Sequence, residues 1–172
     1  MLRDKYSSEI DTLLARYPAD QPRSAVMPLL YLAQSEYGHI SPEAMSEVGA
    51  LVGMSSTEVA GIVGFYTLYY DQPGGQRRMQ ICTDLPCALH GGEKFAADVC
   101  QKLGVRLGET TADGEWTVEV VMCLAACDHA PMFQVQDATG LHYHESQSAD
   151  KPMTADEALA VLKQYPPAGK GA

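Results

Sequence analysis

The chain has 172 residues, 46% hydrophobic and 20% charged, a composition that can build a sizeable core in one or two small domains. Its net charge is −10, from 12 Lys and Arg against 22 Asp and Glu, and no Lys or Arg lies between Tyr37 and Arg77. A nucleic-acid binder needs clustered positive charge to neutralise phosphates, and that footprint is missing.

The first 75 residues read as helices. Asp4–Tyr17 places Tyr6, Ile10, Leu13 and Leu14 near helical spacing and stops before Pro18. A second helix is predicted over about Ser24–Tyr37, with Pro28 tolerable near its first turn and Gly38 as its stop. Ser41-Pro42-Glu43 opens a third, which ends at Gly53. Ser55-Ser56-Thr57-Glu58 is a capping box opening a fourth, which continues through Phe65 into Tyr66–Tyr70.

Asp71-Gln72-Pro73-Gly74-Gly75 is the strongest breaker and the expected boundary between domains 1–75 and 76–172. Beyond it the pattern predicts a strand at Arg78–Cys82 and a helix at Glu93–Leu103. Further strands follow at Thr117–Met122, Met132–Val135 and Leu141–His144, the last two joined as a hairpin, before a final helix at about Thr154–Gln164 that stops at Pro166-Pro167. The order β-α-β-β-β-α gives an α/β fold class, a small α/β sandwich behind an N-terminal helical bundle. The longest apolar runs are too short to span a bilayer, and Met1–Arg16 carries charges throughout instead of a secretory apolar stretch. A cytoplasmic protein without direct membrane insertion is expected, one that a larger complex can hold peripherally on the inner face of a membrane.

Five cysteines in such a chain argue against a disulfide framework and for metal binding or redox chemistry. Four fall into the pattern Cys82-x4-Cys87 and Cys123-x3-Cys127, each pair where a predicted strand runs into a loop. Loops can wrap an inorganic cluster and aim backbone N–H groups at its sulfurs, helped by the small residues Gly91, Gly92, Ala125 and Ala126. Four thiolates on two irons form the ordinary [2Fe–2S] ligand set. Zinc ribbons and thioredoxin-type catalysis both favour the tighter C-x2-C spacing, which neither pair has. Cys100, inside the Glu93–Leu103 helix, reads as a core residue. His142 and His144 share one strand face and read as packed or solvated rather than as ligands. With four cysteines available, His129 beside Cys127 is not required. A cis bond at Pro131 is an open expectation.

Several segments together resemble a known family, the small [2Fe–2S] subunits of the NADH-oxidising module of respiratory complex I (the E-type subunits of NADH-quinone oxidoreductase). They are Gly64-Phe65-Tyr66-Thr67-Leu68-Tyr69, Ile81-Cys82-Thr83-Asp84-Leu85-Pro86-Cys87 with Gly91, Gly108-Glu109-Thr110-Thr111, and Cys123-Leu124-Ala125-Ala126-Cys127 with Ala130-Pro131-Met132. The same family includes subunits of NAD-linked hydrogenases and formate dehydrogenases. The resemblance implies a thioredoxin-like [2Fe–2S] ferredoxin domain behind a partner-docking helical bundle, with one cluster on Cys82, Cys87, Cys123 and Cys127. It also implies a partner subunit that binds FMN and NADH, and further Fe–S subunits. The chain itself shows no G-x-G-x-x-G and no P-loop, so no nucleotide site is evident within it. Two departures stand out: Ala125 replaces the family's usual Gly, and Glu145–Pro152 is longer than usual, read as an acidic surface loop.

The reading from another class is a redox-sensing DNA-binding regulator, because the third and fourth helices imitate a helix-turn-helix. Its recognition helix, Ser55–Phe65, lacks Arg, Lys, Asn and Gln for reading bases.

Overall fold

The structure, a computed structural model, describes residues 1–148 and 150–166. The chain divides into two units, Met1–Pro73 and Gly74–Ala172. The first is built from α1 (Leu2–Lys5), α2 (Ser7–Leu14), α3 (Val26–Tyr37), α4 (Pro42–Val52) and α5 (Ser56–Phe65). Their inward faces meet in a core that includes Ile10, Leu29, Leu30, Val48, Val52 and Val59.

Three local details differ from the sequence pattern, two of them for a tertiary reason. The expected helix Asp4–Tyr17 is interrupted at Tyr6 (φ −123°, ψ 34°), starts earlier and ends at Leu14. The interruption lets both Leu2 and Ile10 enter the core. It is held by Tyr6 donating its hydroxyl to Glu36 at 2.6 Å and by the Leu2 N–H donating to Glu47 at 3.0 Å. A short 3-10 turn, Pro22–Ala25, precedes α3, so Pro28 falls in the first turn of that helix, where a missing N–H costs nothing. The expected run of α5 through Tyr66–Tyr70 is absent, because Tyr66 is extended (φ −95°, ψ 117°). Gln34 supplies the alternative hydrogen bonds: its amide N–H donates to the Leu68 carbonyl and its oxygen accepts from the Tyr70 N–H, both at 2.8 Å. Helices α4 and α5 start as expected, with Ser41 accepting from the Ala44 N–H and Ser55 forming the capping box with Glu58.

Among the described residues no single helix is long and apolar enough to cross a membrane. The α4–α5 pair is apolar enough together but bends by 112°, and its valines at 48, 52, 59 and 63 are buried.

The second unit holds β1 (Arg77–Cys82), α6 (Leu85–Leu89), α7 (Gly92–Leu103), β2 (Trp116–Val121), β3 (Met132–Asp137), β4 (Gly140–Glu145) and α8 (Ala155–Leu162). The described strands form one sheet in the order β2-β1-β3-β4. Strand β1 runs parallel to β2 and antiparallel to β3, and β3 and β4 form the expected hairpin. A parallel pair needs a crossover connection, which α6 and α7 provide. Met79, Ile81, Val118, Phe133 and Val135 share one sheet face, and their core also takes in Phe95, Val99 and Cys100 of α7 and Ala158 and Leu162 of α8. Cys100 is thus a core residue. On the opposite face, Arg78 pairs with Glu119, and Gln134 donates to Gln80 at 2.5 Å. Pro167, expected beyond the last helix, and Ala149, within the Glu145–Pro152 stretch, lie outside the described residues.

Candidate metal centre

The sheet topology explains why cysteines far apart in sequence end together. In the parallel pair, Cys82 at the end of β1 is opposite Val121 at the end of β2, and the ladder extends through a Thr83 N–H bond to the Val121 carbonyl (3.2 Å). Cys123 follows two residues later. Strand β3 runs the other way and starts at Met132, so the segment from Cys127 to Pro131 returns to the same sheet end.

The thiols stand as two pairs. Cys123 and Cys127 have their sulfurs 3.6 Å apart and are both exposed, whereas Cys82 and Cys87 are buried and Cys82 acts on the Cys87 thiol. A tetrahedral metal with thiolate bonds of about 2.3 Å, the length for zinc, separates two sulfurs by roughly 3.8 Å, so the Cys123–Cys127 pair suits one metal ion. Among the described residues no three His, Cys, Asp or Glu converge on one point as a lone metal ion requires. Two adjacent thiol pairs instead match the donors of a centre with two irons. Burial, with the hydrogen bond and charge of Cys82, pushes the Cys87 thiol up to about 12, against a hydrogen bond from the Met132 N–H that favours the thiolate. The proton shared with Cys123 raises Cys127 in the same direction, with Cys82 and Asp84 adding repulsion. Such thiols are poor free nucleophiles. A bound metal ion deprotonates a coordinating thiol outright, so the group fits metal binding better than cysteine catalysis.

Backbone features surround both pairs. Cys87 lies not in a loop but in α6, a short helix capped by Asp84, with Pro86 in its first turn. The signature Asp84-Leu85-Pro86 is the sequence signal that identifies it. Gly92, at the start of α7, sits so close that a Cβ there would meet the Cys87 carbonyl at 2.8 Å and the Cys82 carbonyl at 3.0 Å. Ala125 has φ 66°, a left-handed conformation that glycine adopts more readily, and its N–H nevertheless donates to the Cys123 sulfur at 3.3 Å. The methyl therefore costs local strain while the N–H···S contact is retained. The Ala130–Pro131 bond is cis. Ala130 and Met132 form a small apolar cluster with Cys82 and Cys87, a wall that the cysteine spacing did not reveal.

The other singled-out residues have ordinary roles. His142 contacts Asp137 and Thr139, and His144 stacks on Phe133 while bonding Tyr165 at 2.8 Å. His129 pairs with Asp128 on the surface. The exposed face of α5 presents Thr57, Glu58, Ala60 and Gly61, none of them cationic.

Known proteins resemble the chain over most of its length. The family model described as thioredoxin-like [2Fe–2S] ferredoxin matches residues 10–163. The chain is 41% identical over 129 residues to an E-type NADH-quinone oxidoreductase subunit of Rhizobium meliloti, covering 75% of this chain and 76% of that protein. It is 41% identical over 128 residues to "NADH-quinone oxidoreductase subunit 2" of Thermus thermophilus, covering 74% and 71%. It is also 36% identical over 130 residues to the mitochondrial "NADH dehydrogenase [ubiquinone] flavoprotein 2" of Dictyostelium discoideum, covering 75% and 53%. Among solved structures, an NAD+-reducing [NiFe]-hydrogenase in the H2-reduced state shares the fold, with a TM-score of 0.59 and 16% identity over 79% of this chain and 22% of that one. With two thiol pairs gathered at one end of a four-stranded sheet and the family model spanning both units, the chain belongs to the thioredoxin-like [2Fe–2S] ferredoxin family.

Proposed function

We propose that Cys82, Cys87, Cys123 and Cys127 hold one [2Fe–2S] cluster, and that the chain exchanges single electrons with FMN on an NADH-binding partner subunit of a complex I-type NADH-quinone oxidoreductase. The observation that carries this reading is the pairing itself: two thiol pairs at one sheet end, one buried and one exposed. When bound, the cluster supplies one-electron chemistry, whereas flavin handles two electrons. The chain's own groups do the rest. The Ala125 N–H holds the Cys123 sulfur, the Met132 N–H favours charge on Cys87, and Ala130 and Met132 keep water from the buried pair. Leu85, Leu89 and Met122 form exposed apolar ground beside the ligand positions, and a partner seated there would exclude water from the exposed pair. The helical unit, Met1–Pro73, serves as a second docking element, and further Fe–S subunits take the electrons onward.

The hydrogenase likeness supports the fold alone, and the names of the more similar relatives favour the quinone-reducing complex. The test is reduction by NADH. Mixed with its flavin-bearing partner, the protein is expected to develop a rhombic EPR signal within the turnover time of the complex, and without the partner to stay silent. A cluster that NADH reduces in the isolated chain, or never reduces in the complex, contradicts the proposal.

A further inference from the structure

Ser146 lies just past β4 and is 3% exposed. Its N–H donates to the His129 carbonyl at 3.1 Å, its hydroxyl donates to the Pro131 carbonyl at 2.6 Å, and the same hydroxyl accepts from the Met153 N–H at 2.7 Å. Both carbonyls belong to the segment that runs from Cys127 into β3. One side chain thus ties three stretches together: the return from the second cysteine pair, the end of the hairpin, and the approach to α8. The segment it grips carries Ala130 and Met132, the residues that pack on Cys82 and Cys87. A buried hydroxyl bonded on both its donor and acceptor sides is a fixed strut, since losing it would take this partner from the buried Pro131 carbonyl and the partly buried Met153 N–H.

We propose that Ser146 is a positioning residue for the metal centre, holding the segment from Cys127 to Met132 against the Cys82–Cys87 pair and thereby setting the reduction potential of the cluster. The inference rests on the four-cysteine reading above. It also gives the Glu145–Pro152 stretch an inward role in place of a purely surface one. Cluster potentials depend on hydrogen bonds to the sulfurs and on solvent access, and Ser146 fixes the chain that governs both at the buried pair. Releasing it loosens the Met132 N–H that favours charge on the Cys87 sulfur, which disfavours the more negative reduced state.

The experiment compares the wild-type holoprotein with Ser146→Ala and Ser146→Thr. Iron and sulfide content, the EPR-monitored midpoint potential and the g-values are read on each. We expect Ser146→Ala to lower the midpoint potential and move the g-values, or to lose the cluster, while Ser146→Thr, which keeps the hydroxyl, retains the wild-type values. A wild-type potential and spectrum in Ser146→Ala overturn the inference, whatever happens to its melting temperature. So does an equal change or loss in both variants, because the hydroxyl is then not the cause. Absence of iron and sulfide from the wild-type protein itself would instead remove the four-cysteine reading.

Discussion

At the residue scale, the five cysteines divide by environment. Cys100 is buried in α7 among Phe95, Val99 and the sheet core, and only burial acts on its thiol, pushing it upward. The other four stand in two pairs whose sulfurs influence one another. Replacing Cys82 or Cys127 by Ser is therefore expected to lose or distort the visible and EPR spectra of the cluster, whereas Cys100→Ser keeps them. A spectrum destroyed by Cys100→Ser would mean that the ligand set is wrong. The pairing was legible in the sequence because both pairs follow β-rich stretches and avoid the C-x2-C spacing. The supporting cast was not: Met132 and Ser146 reach the site only through the antiparallel return of β3 and β4, which spacing does not encode.

At the element scale, the helix starts with local chemistry were readable, namely Ser41-Pro42 and the Ser55 box. What failed depended on distant partners. Tyr6 breaks a helix to reach Glu36, and Gln34 draws Leu68 and Tyr70 out of one. The five-residue α6 is too short to show a period at all. The start of α7 offers the sharpest element-level test. Gly92→Ala forces a methyl against the carbonyls of both Cys82 and Cys87, and overpacking of this kind costs about 1–3 kcal/mol. Chemical denaturation should show that loss together with reduced cluster content. Gly61→Ala is the control: it sits in α5 with nothing within 4 Å of the added carbon, and it should stabilise by about 0.5–1 kcal/mol. Equal effects from the two substitutions would contradict the close approach at Gly92.

At the scale of the whole molecule, a chain of net charge −10 carries carboxylates that the fold keeps ionised. Glu58 falls to about 2 through hydrogen bonds from Ser55 and its pairing with Arg23, and Glu36 is lowered chiefly by Lys5 and Tyr6. Groups lowered on folding contribute stability that is present above their unfolded value of 4.5 and lost as pH falls through the folded one. His144 adds an earlier step. Burial, then the charge of His142, lowers it from 6.5, so the folded state binds fewer protons and its contribution is complete above that pH and lost as pH falls through the folded value. The melting temperature should be level between about pH 7 and about pH 8 and decline below 6.5, with a second decline below 4.5. His144→Phe, which can still pack on Phe133, should remove the first decline. A melting temperature that rises between pH 7 and pH 5 would oppose this account.

The chain divides between Pro73 and Gly74, inside the Asp71–Gly75 breaker beyond which the sequence period changes. Which sheet end collects the cysteines is not legible in the sequence, because it depends on β1 and β2 pairing in parallel across a crossover. That convergence underlies the central claim, and the most direct test is the inorganic content of the purified full chain. About two irons and two acid-labile sulfides per chain, with a rhombic EPR signal on reduction, is the predicted result. Zinc in place of iron, with no labile sulfide, would contradict it.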